Sequence, residues 1–423
     1  MTSRPDVSVC IPTYNHEKYI RECLTSILDQ DYKKLEVVIT DDCSTDRTVE
    51  EIRPFLSDSI RLFEHDGNYG PSVAANNSIR NSQGEFVCYF NSDDAFLPSK
   101  VSKQRRVFDE HPEVAAVFSF VEYMDEDGNT IPGPGQRWSK GNRSRESWLR
   151  LFFLEGNFLS APTVMIRRSV LEEVGLFDHR LIQVQDFDLW IRLCLKADIY
   201  VIEEPLVRYR IRSDAGNLGA NTPEKTGTRL WEMSKALRRF CAIRDNAELI
   251  RIFPEAKPGA ENGLPLRMNL GLLAFNGQRW TRAFGLDLVY DAIERFEDVP
   301  LLERIGSGLP DFFGMVADAD VFGMVAEAEA LAAAQRAEAQ RDEVLEDKAK
   351  AQAELQEARA RIRALEEKLM NAQTAWREAA TQRDLMLQST SWRLTWPIRA
   401  SGAALKSPAR AGLRRAVATL WRR

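Results

Sequence analysis

Four short polar segments hold the residue types that could do chemistry. Asn91-Ser92-Asp93-Asp94 ends the apolar run Phe86-Val87-Cys88-Tyr89-Phe90 with two adjacent carboxylates. Their mutual repulsion is unfavourable unless a cation sits between or beside them. Oxygen ligands of this kind suit Mg²⁺ or Mn²⁺, which take few protein carboxylates and complete their shell with phosphate and water. Asp93 and Asp94 are therefore candidate metal ligands. Gln185-Asp186-Phe187-Asp188-Leu189-Trp190 places two more carboxylates at an expected helix start. On a helix Asp186 and Asp188 point apart, so only one of them enters a shared site. Asp41-Asp42 and Pro12-Thr13-Tyr14-Asn15 each follow an apolar run as well. Asp41-Asp42 followed by Ser44-Thr45-Asp46 also reads as a plain strand-to-helix turn, with Ser44 or Thr45 as N-cap.

The elements around these segments explain how they meet. Val7 to Pro12, Leu35 to Thr40, Ile60 to Glu64 and Glu85 to Phe90 read as buried strands. Ile20, Leu24, Ile27 and Leu28 recur at helical spacing between the first two. Strands alternating with helices predict an α/β fold with a doubly wound, mostly parallel sheet. Ligands of such sheets bind beyond the carboxyl ends of the strands. Three of the four polar segments follow strand ends and should converge on one crevice. Residues 112–124 and Val201 to Val207 read as further strands, and Ser147 to Phe153 and Asp186 to Leu195 as helices.

Composition excludes several alternatives. A formal charge of −6 argues against general nucleic-acid binding, and 44% hydrophobic residues are enough for a real core. The six cysteines are dispersed, without a CxxC pair or a Cys/His cluster, which points to reduced thiols in a cytoplasmic setting. Met1 to Pro5 shows no apolar signal core, and no run approaches the roughly 20 apolar residues of a membrane span. A dehydrogenase would need a glycine fingerprint after the first strand, where Pro12-Thr13-Tyr14-Asn15 stands. A nucleotidyltransferase would need a Gly-rich basic phosphate loop near its N-terminus.

Beyond Ser213 the alternation stops. Residues 216–322 read as a mostly helical extension to a domain spanning 1–215. Across 323–385 a 3–4 apolar alternation runs through Val344, Ala351, Leu355, Ala358, Ile362, Leu365, Leu369, Ala372, Trp376 and Ala379. That pattern predicts a long coiled-coil helix, pairing with a second copy or with a partner helix. After Asp384 no acidic residue occurs, and 386–423 interleave Arg393, Arg399, Lys406, Arg410, Arg414 and Arg415 with Trp392, Trp396 and Trp421. A basic amphipathic tail with tryptophans suits an anionic membrane surface.

Taken in order, Val7–Asn15, Val38–Asp46, Asn91–Asp94 and Gln185–Trp190 resemble the family 2 glycosyltransferases with the GT-A fold. The resemblance covers about residues 5–215. It implies that Pro12, Thr13 and Tyr14 form the first loop holding the nucleotide, and that Asp42 or Asp41 accepts a hydrogen bond from the base. It also implies that Asp93 and Asp94 are the DxD-like motif, with Asp93 at the ribose and both at a Mn²⁺ or Mg²⁺ ion bridging the diphosphate. Asp186 then matches the catalytic base of inverting members. The implied donor is a nucleotide-diphosphate sugar, and the implied acceptor a glycan or lipid-linked hydroxyl. The chain departs from the family pattern at Asn91, at Ala75 where many members carry Arg, and at Arg212 where members often have His. A tethered bacterial enzyme of this type would be cytoplasmic and peripheral on the inner face of the plasma membrane. Ser389–Pro397 resembles a C-terminal element of bacterial glycosyltransferases with long coiled coils. The other class left open is a GT-A-like scaffold or glycan-binding protein.

Overall fold

The computed structural model describes residues 4–133, 140–212, 223–293 and most of 355–385, together with 388. Two compact units divide between Gln335 and Arg336. In the first, β1 (Val7–Thr13), α1 (Ile20–Leu28), β2 (Leu35–Asp41), α2 (Thr48–Ile52), β3 (Ile60–Glu64), α3 (Pro71–Arg80) and β4 (Phe86–Tyr89) alternate as expected. β1 lies between β2 and β4 and is parallel to both, and β3 continues the parallel block beside β2. Then come β5 (Ala95–Phe96), α4 (Lys100–Glu110), β6 (Val114–Met124), α5 (Arg145–Glu155), β7 (Met165–Arg167), α6 (Arg168–Val174), α7 (Gln185–Lys196) and β8 (Asp198–Arg210).

All eight strands form one sheet in the order β3-β2-β1-β4-β7-β6-β8-β5. The sheet is more mixed than its N-terminal pattern suggests. β7 runs antiparallel to both β4 and β6, and β5 runs antiparallel to β8. β6 and β8 pair in parallel over their length. The fold class is α/β, a mixed eight-stranded sheet with helices following it.

Strand alternation divides the core between the two faces of the sheet. Val7, Val9 and Ile11 of β1 pack with Ile20, Leu24 and Ile27 of α1 and with Val101 and Phe108 of α4. Cys10 faces the other way, into a larger cluster with Trp148, Phe152, Phe187 and Trp190 of α5 and α7. This second cluster runs on without a break into the helices after residue 223. Those are α8 (Pro223–Ala236), the turn Leu237–Ala242, α9 (Asn246–Ile252), α10 (Lys257–Glu261), α11 (Leu266–Phe275) and α12 (Arg279–Ala292). Phe240 and Phe253 lie fully buried against Phe153 of α5, at ring separations of 5.0 and 4.9 Å. Burying each such ring contributes ~1.5–3 kcal/mol, so the α5–α7 face depends on these helices for its cover.

One local expectation is corrected. Neither Ser44 nor Thr45 caps the helix after β2. α2 begins only at Thr48, and Asp46 accepts from the Thr48 backbone N–H at 2.9 Å. Ser44 instead closes the turn, accepting from Asn15 N and donating to Asp41.

In the second unit the described residues within 355–385 are helical, and Leu355, Ile362, Leu365 and Trp376 are exposed on it. Val344, Ala351, Leu369 and the basic tail lie outside the described residues. Among the described residues no helix is long and apolar enough to cross a membrane.

Gly84 lets the chain enter β4 hard against β1. A Cβ there would stand 2.7 Å from Ser8 N and 2.8 Å from the carbonyl carbon of Val7, both backbone of the central strand. Gly84→Ala is expected to lower stability by about 1–3 kcal/mol, measured as a fall in the denaturant midpoint. A wild-type midpoint would contradict this close packing.

Candidate active site

Asp93 and Asp94 lie in the turn between β4 and β5, and both are buried, at 8% and 2% exposure. Asp94 Oδ1 accepts from the backbone N–H of Arg210 at 2.8 Å, and Oδ2 accepts from Asn91 Nδ2 at 3.0 Å. Burial first and the neighbouring Asp93 charge second push the Asp94 carboxyl well above the ordinary range, against the pull of Arg210 and Asn91. The Asp93 carboxylate accepts no hydrogen bond among the described residues, while its backbone carbonyl receives Arg210 Nε at 2.8 Å. A buried, unengaged carboxylate beside a second one is the unfavourable arrangement that a cation relieves.

Arg210 is the centre of this region. Its guanidinium is 1% exposed and donates to the carbonyls of Asp93, Asp125 and Glu126 and to Glu22 Oε2 at 2.5 Å. It also lies over the Tyr19 ring, 4.8 Å from the centroid. A single side chain thus ties the acidic loop to α1, to β8 and to the turn after β6. Two residues on, Arg212 Nη1 donates to His16 Nε2 at 3.1 Å. With Nε2 accepting, His16 carries its proton on Nδ1 and donates it to Ser92 Oγ at 2.6 Å.

The two loops at the ends of β1 and β2 are joined to each other. Asn15, in left-handed backbone at φ 54°, accepts from Thr45 N through its side chain at 2.8 Å. Asp41 receives Ser44 N on Oδ2 and Ser44 Oγ on Oδ1, one bond per oxygen. Asp42 is more heavily engaged, taking His65 Nδ1 and Tyr69 N on Oδ1 and Gly70 N on Oδ2. Asp42 therefore fixes the glycine loop at the start of α3, and Asp41 keeps more spare lone pairs. Pro12 and Thr13 are buried, and Tyr14 is 42% exposed. Thr13 Oγ1 is buried without a hydrogen-bond partner.

At the start of α7 the two acids take different roles. Asp188 is 1% exposed and locked between Arg192 and Arg239, at 2.8 and 2.6 Å. Asp186 is partly exposed, and its Oδ2 accepts from Asn157 Nδ2 at 3.0 Å. The preceding loop is held from outside the sheet. Glu232 of α8, 2% exposed, receives the backbone N–H groups of Ile182, Gln183 and Val184. Arg239 also reaches Asp178, and the paired Arg180 first, with Arg239, holds that carboxyl well below the usual range.

The structure brings Asp93, Asp94 and Asp186 into one electrostatic neighbourhood. Tyr89 of β4 and Tyr209 of β8 are both pushed well above the usual phenol range, by burial first and then by these three carboxylates. Thr13, Asp41 and Asp42 belong to the adjoining loops, joined where Asp42 N donates to Thr13 O at 2.9 Å. Among the described residues no group of three or more His, Cys, Asp or Glu is gathered for a metal. Sequence reasoning missed Arg210 and Glu232. Arg210 closes β8 two residues before the singled-out Arg212, and its place at a strand end was a signal that was available. Glu232 stands alone in a helix without a motif, and nothing local marks it.

This α/β sheet, with acids at successive strand ends, belongs to a known class. Residues 8–175 match the family described as Glycosyl transferase family 2, and that segment is a domain of the family. Over 213 residues the chain is 30% identical to an uncharacterized glycosyltransferase of Rickettsia typhi, covering 50% of this chain and 65% of that protein. It is 29% identical over 242 residues to the putative teichuronic acid biosynthesis glycosyltransferase TuaG of Bacillus subtilis, covering 56% of this chain and 90% of that one. It is also similar to the crystal structure of S. aureus TarS 1-349 in complex with UDP-GlcNAc. That likeness has a TM-score of 0.49 and 22% identity, and covers 77% of this chain and 91% of that one. The chain spans less than two thirds of several relatives, 38% and 33% of two from Rickettsia felis and Rickettsia bellii.

Removing the Arg210 side chain takes its donors from the carbonyls of Asp93, Asp125 and Glu126 and from Glu22 Oε2, while Glu22 Oε1 keeps Arg208. Arg210→Met is expected to cost about 1–3 kcal/mol of unfolding free energy, as for leaving buried carbonyls without a donor. Arg210→Lys should restore little of it, because one ammonium cannot span the same acceptors. Chemical denaturation checks both, and a near-wild-type Arg210→Met would remove Arg210 from the centre of the site.

Proposed function

We propose that this protein transfers a sugar from a nucleotide-diphosphate sugar to a hydroxyl of a glycan or lipid-linked acceptor, with inversion, in surface polysaccharide or lipid-linked glycan synthesis. The observation that carries this reading is the common neighbourhood of Asp93, Asp94 and Asp186, in which Asp93 is buried and unengaged. Thr13 and Tyr14 hold the nucleotide, with the orphaned Thr13 hydroxyl finding its partner there and Pro12 shaping the loop. Asp41 or Asp42 accepts from the base, and Asp41 has more lone pairs to offer.

Two hard carboxylate ligands fit a Mn²⁺ or Mg²⁺ ion that completes its shell with phosphate oxygens. When bound, the ion neutralises charge gathering on the departing diphosphate. Asp93 also reaches the ribose in this reading. Arg212, braced by His16, adds a fixed positive charge at the same place. Asp186, steadied by Asn157, takes the proton of the attacking hydroxyl. A single displacement without an enzyme-bound sugar inverts the anomeric centre.

The second half of the chain serves position rather than chemistry. The exposed stripe of Leu355, Ile362, Leu365 and Trp376 pairs with a second copy or a partner helix. The basic, tryptophan-bearing residues 386–423 hold the enzyme at the inner face of the plasma membrane.

Two measurements test this. A screen of nucleotide sugars with Mn²⁺ and Mg²⁺ should find a donor that is turned over, and Asp94→Asn should abolish that turnover in a folded protein. Asp186→Asn should slow transfer by about 10²–10⁴-fold while still binding nucleotide. Binding without turnover of any donor would favour a glycan-binding scaffold, and normal transfer by Asp186→Asn would remove it as base. Deleting 386–423 should abolish sedimentation with anionic vesicles while sparing donor hydrolysis, and unchanged sedimentation would defeat the membrane assignment.

A further inference from the structure

α7 opens without a cap of its own. Its N-cap is Val184, whose side chain offers no acceptor, and the N–H groups of a helix start need one. The acceptor for the chain entering α7 comes from another element, 48–50 residues further on. Glu232 of α8 takes Ile182 N on Oε1 at 2.9 Å, and Gln183 N and Val184 N on Oε2 at 2.7 and 3.1 Å. Three successive N–H groups on one carboxylate make an anion nest, reinforced by the positive end of α7. Glu232 is 2% exposed and forms no ion pair among the described residues, so these amides carry its compensation. Asp186 stands on the turn that the nest holds. Its Oδ1 accepts from Phe187 N at 2.7 Å, and its Oδ2 from Asn157 Nδ2 at 3.0 Å. The first of these bonds is to the backbone of α7 itself, so the carboxylate goes where the first turn of α7 goes. Two residues on, Asp188 Oδ1 takes Arg239 Nε at 2.6 Å. α8 and the turn after it therefore grip this first turn twice, once by accepting and once by donating.

We propose that Glu232 is a positioning residue for the transfer step, holding the first turn of α7 where Asp186 meets the acceptor hydroxyl. This rests on the transferase reading of the site, in which Asp186 is the base. A base must lie within hydrogen-bond reach of the proton it takes. Misplacing a reacting group by about 1 Å costs about 10²-fold in rate. The bonds of Glu232 all go to backbone N–H groups, so it acts through Asp186 and not on a substrate. Its charge matters as well as its reach, because charge-assisted bonds are shorter and stronger than neutral ones. A neutral amide in its place would turn an NH₂ group toward N–H donors. The helices after the sheet then belong to the chemistry on the acceptor side. The loops at the ends of β1, β2 and β4 receive no bond from Glu232, so the donor side is left as it is.

The test uses the full chain and a nucleotide sugar that wild type turns over. Glu232→Gln keeps the size and removes the charge, while Glu232→Asp keeps the charge and draws it back by one carbon. Both should lower kcat about tenfold to a hundredfold, with the donor KM and the affinity for nucleoside diphosphate unchanged. Denaturation midpoints establish that each variant is folded under the assay conditions. The decisive comparison is a double-mutant cycle with Asp186→Asn. In that background Glu232→Gln should change kcat by less than about twofold, because the group it positions is gone. A residue that only holds the fold together would cost the same in both backgrounds. The proposal is overturned by an equal loss in both, by a loss confined to donor KM, or by wild-type kcat in both single variants. Wild type that turns over no donor, or Asp186→Asn that transfers normally, would sink the transferase reading and this assignment with it.

Discussion

Two carboxylates on adjacent residues, buried just beyond the end of a central strand, oppose each other, and much of the fold answers to it. Left alone, Asp93 and Asp94 would repel each other and lose their hydration together. Arg210 offsets this from the next part of the sheet, with its backbone N–H on Asp94 and its guanidinium on the Asp93 carbonyl. For that, β8 must run as far as residue 210 and lie beside β6 and β5, so that its end comes back to the end of β4. The guanidinium in turn needs acceptors, and Glu22 and the 125–126 carbonyls provide them. The compensation remains partial, because the Asp94 carboxyl is still raised and the Asp93 carboxylate accepts no hydrogen bond among the described residues. A site left short of positive charge is suited to a cation carried in with a phosphate ligand.

A second dependence runs through the loop before α7. One acid of the pair, Asp188, is neutralised by two arginines and serves structure, while Asp186 stays partly exposed. The difference comes from helix geometry, which points residues two apart to different sides. What holds the loop comes from α8 and the turn after it, so the sheet and the following helices make one working body with one continuous apolar core.

Much of this was legible in the sequence because strand ends and turn chemistry are local. Val7 to Pro12, Leu35 to Thr40 and Glu85 to Phe90 announce buried strands, and the acids that follow them are where a parallel block places ligands. That Asp186 and Asp188 point apart was also readable from spacing, while the choice of Asp186 came from the family resemblance. Thr163 to Ile166 reads as extended, but the antiparallel direction of the short β7 leaves no local signal. Glu232 and Arg239 were hidden for a different reason. Their partners lie 48–50 and 51–61 residues away, and no local pattern records such a pairing. The engagement of Asp42 by His65, Tyr69 and Gly70 was equally invisible, since it depends on how the loop after β3 folds back.

The central claim is that Asp93 and Asp94 form a site short of positive charge that is completed by a cation and a diphosphate together. Calorimetric titration of nucleoside diphosphates into the full chain, with Mn²⁺ and then with the metal chelated, tests it most directly. The account predicts binding that depends on the cation and is lost in Asp93→Ala at unchanged fold stability. Equal affinity with and without Mn²⁺, retained by Asp93→Ala, would contradict it.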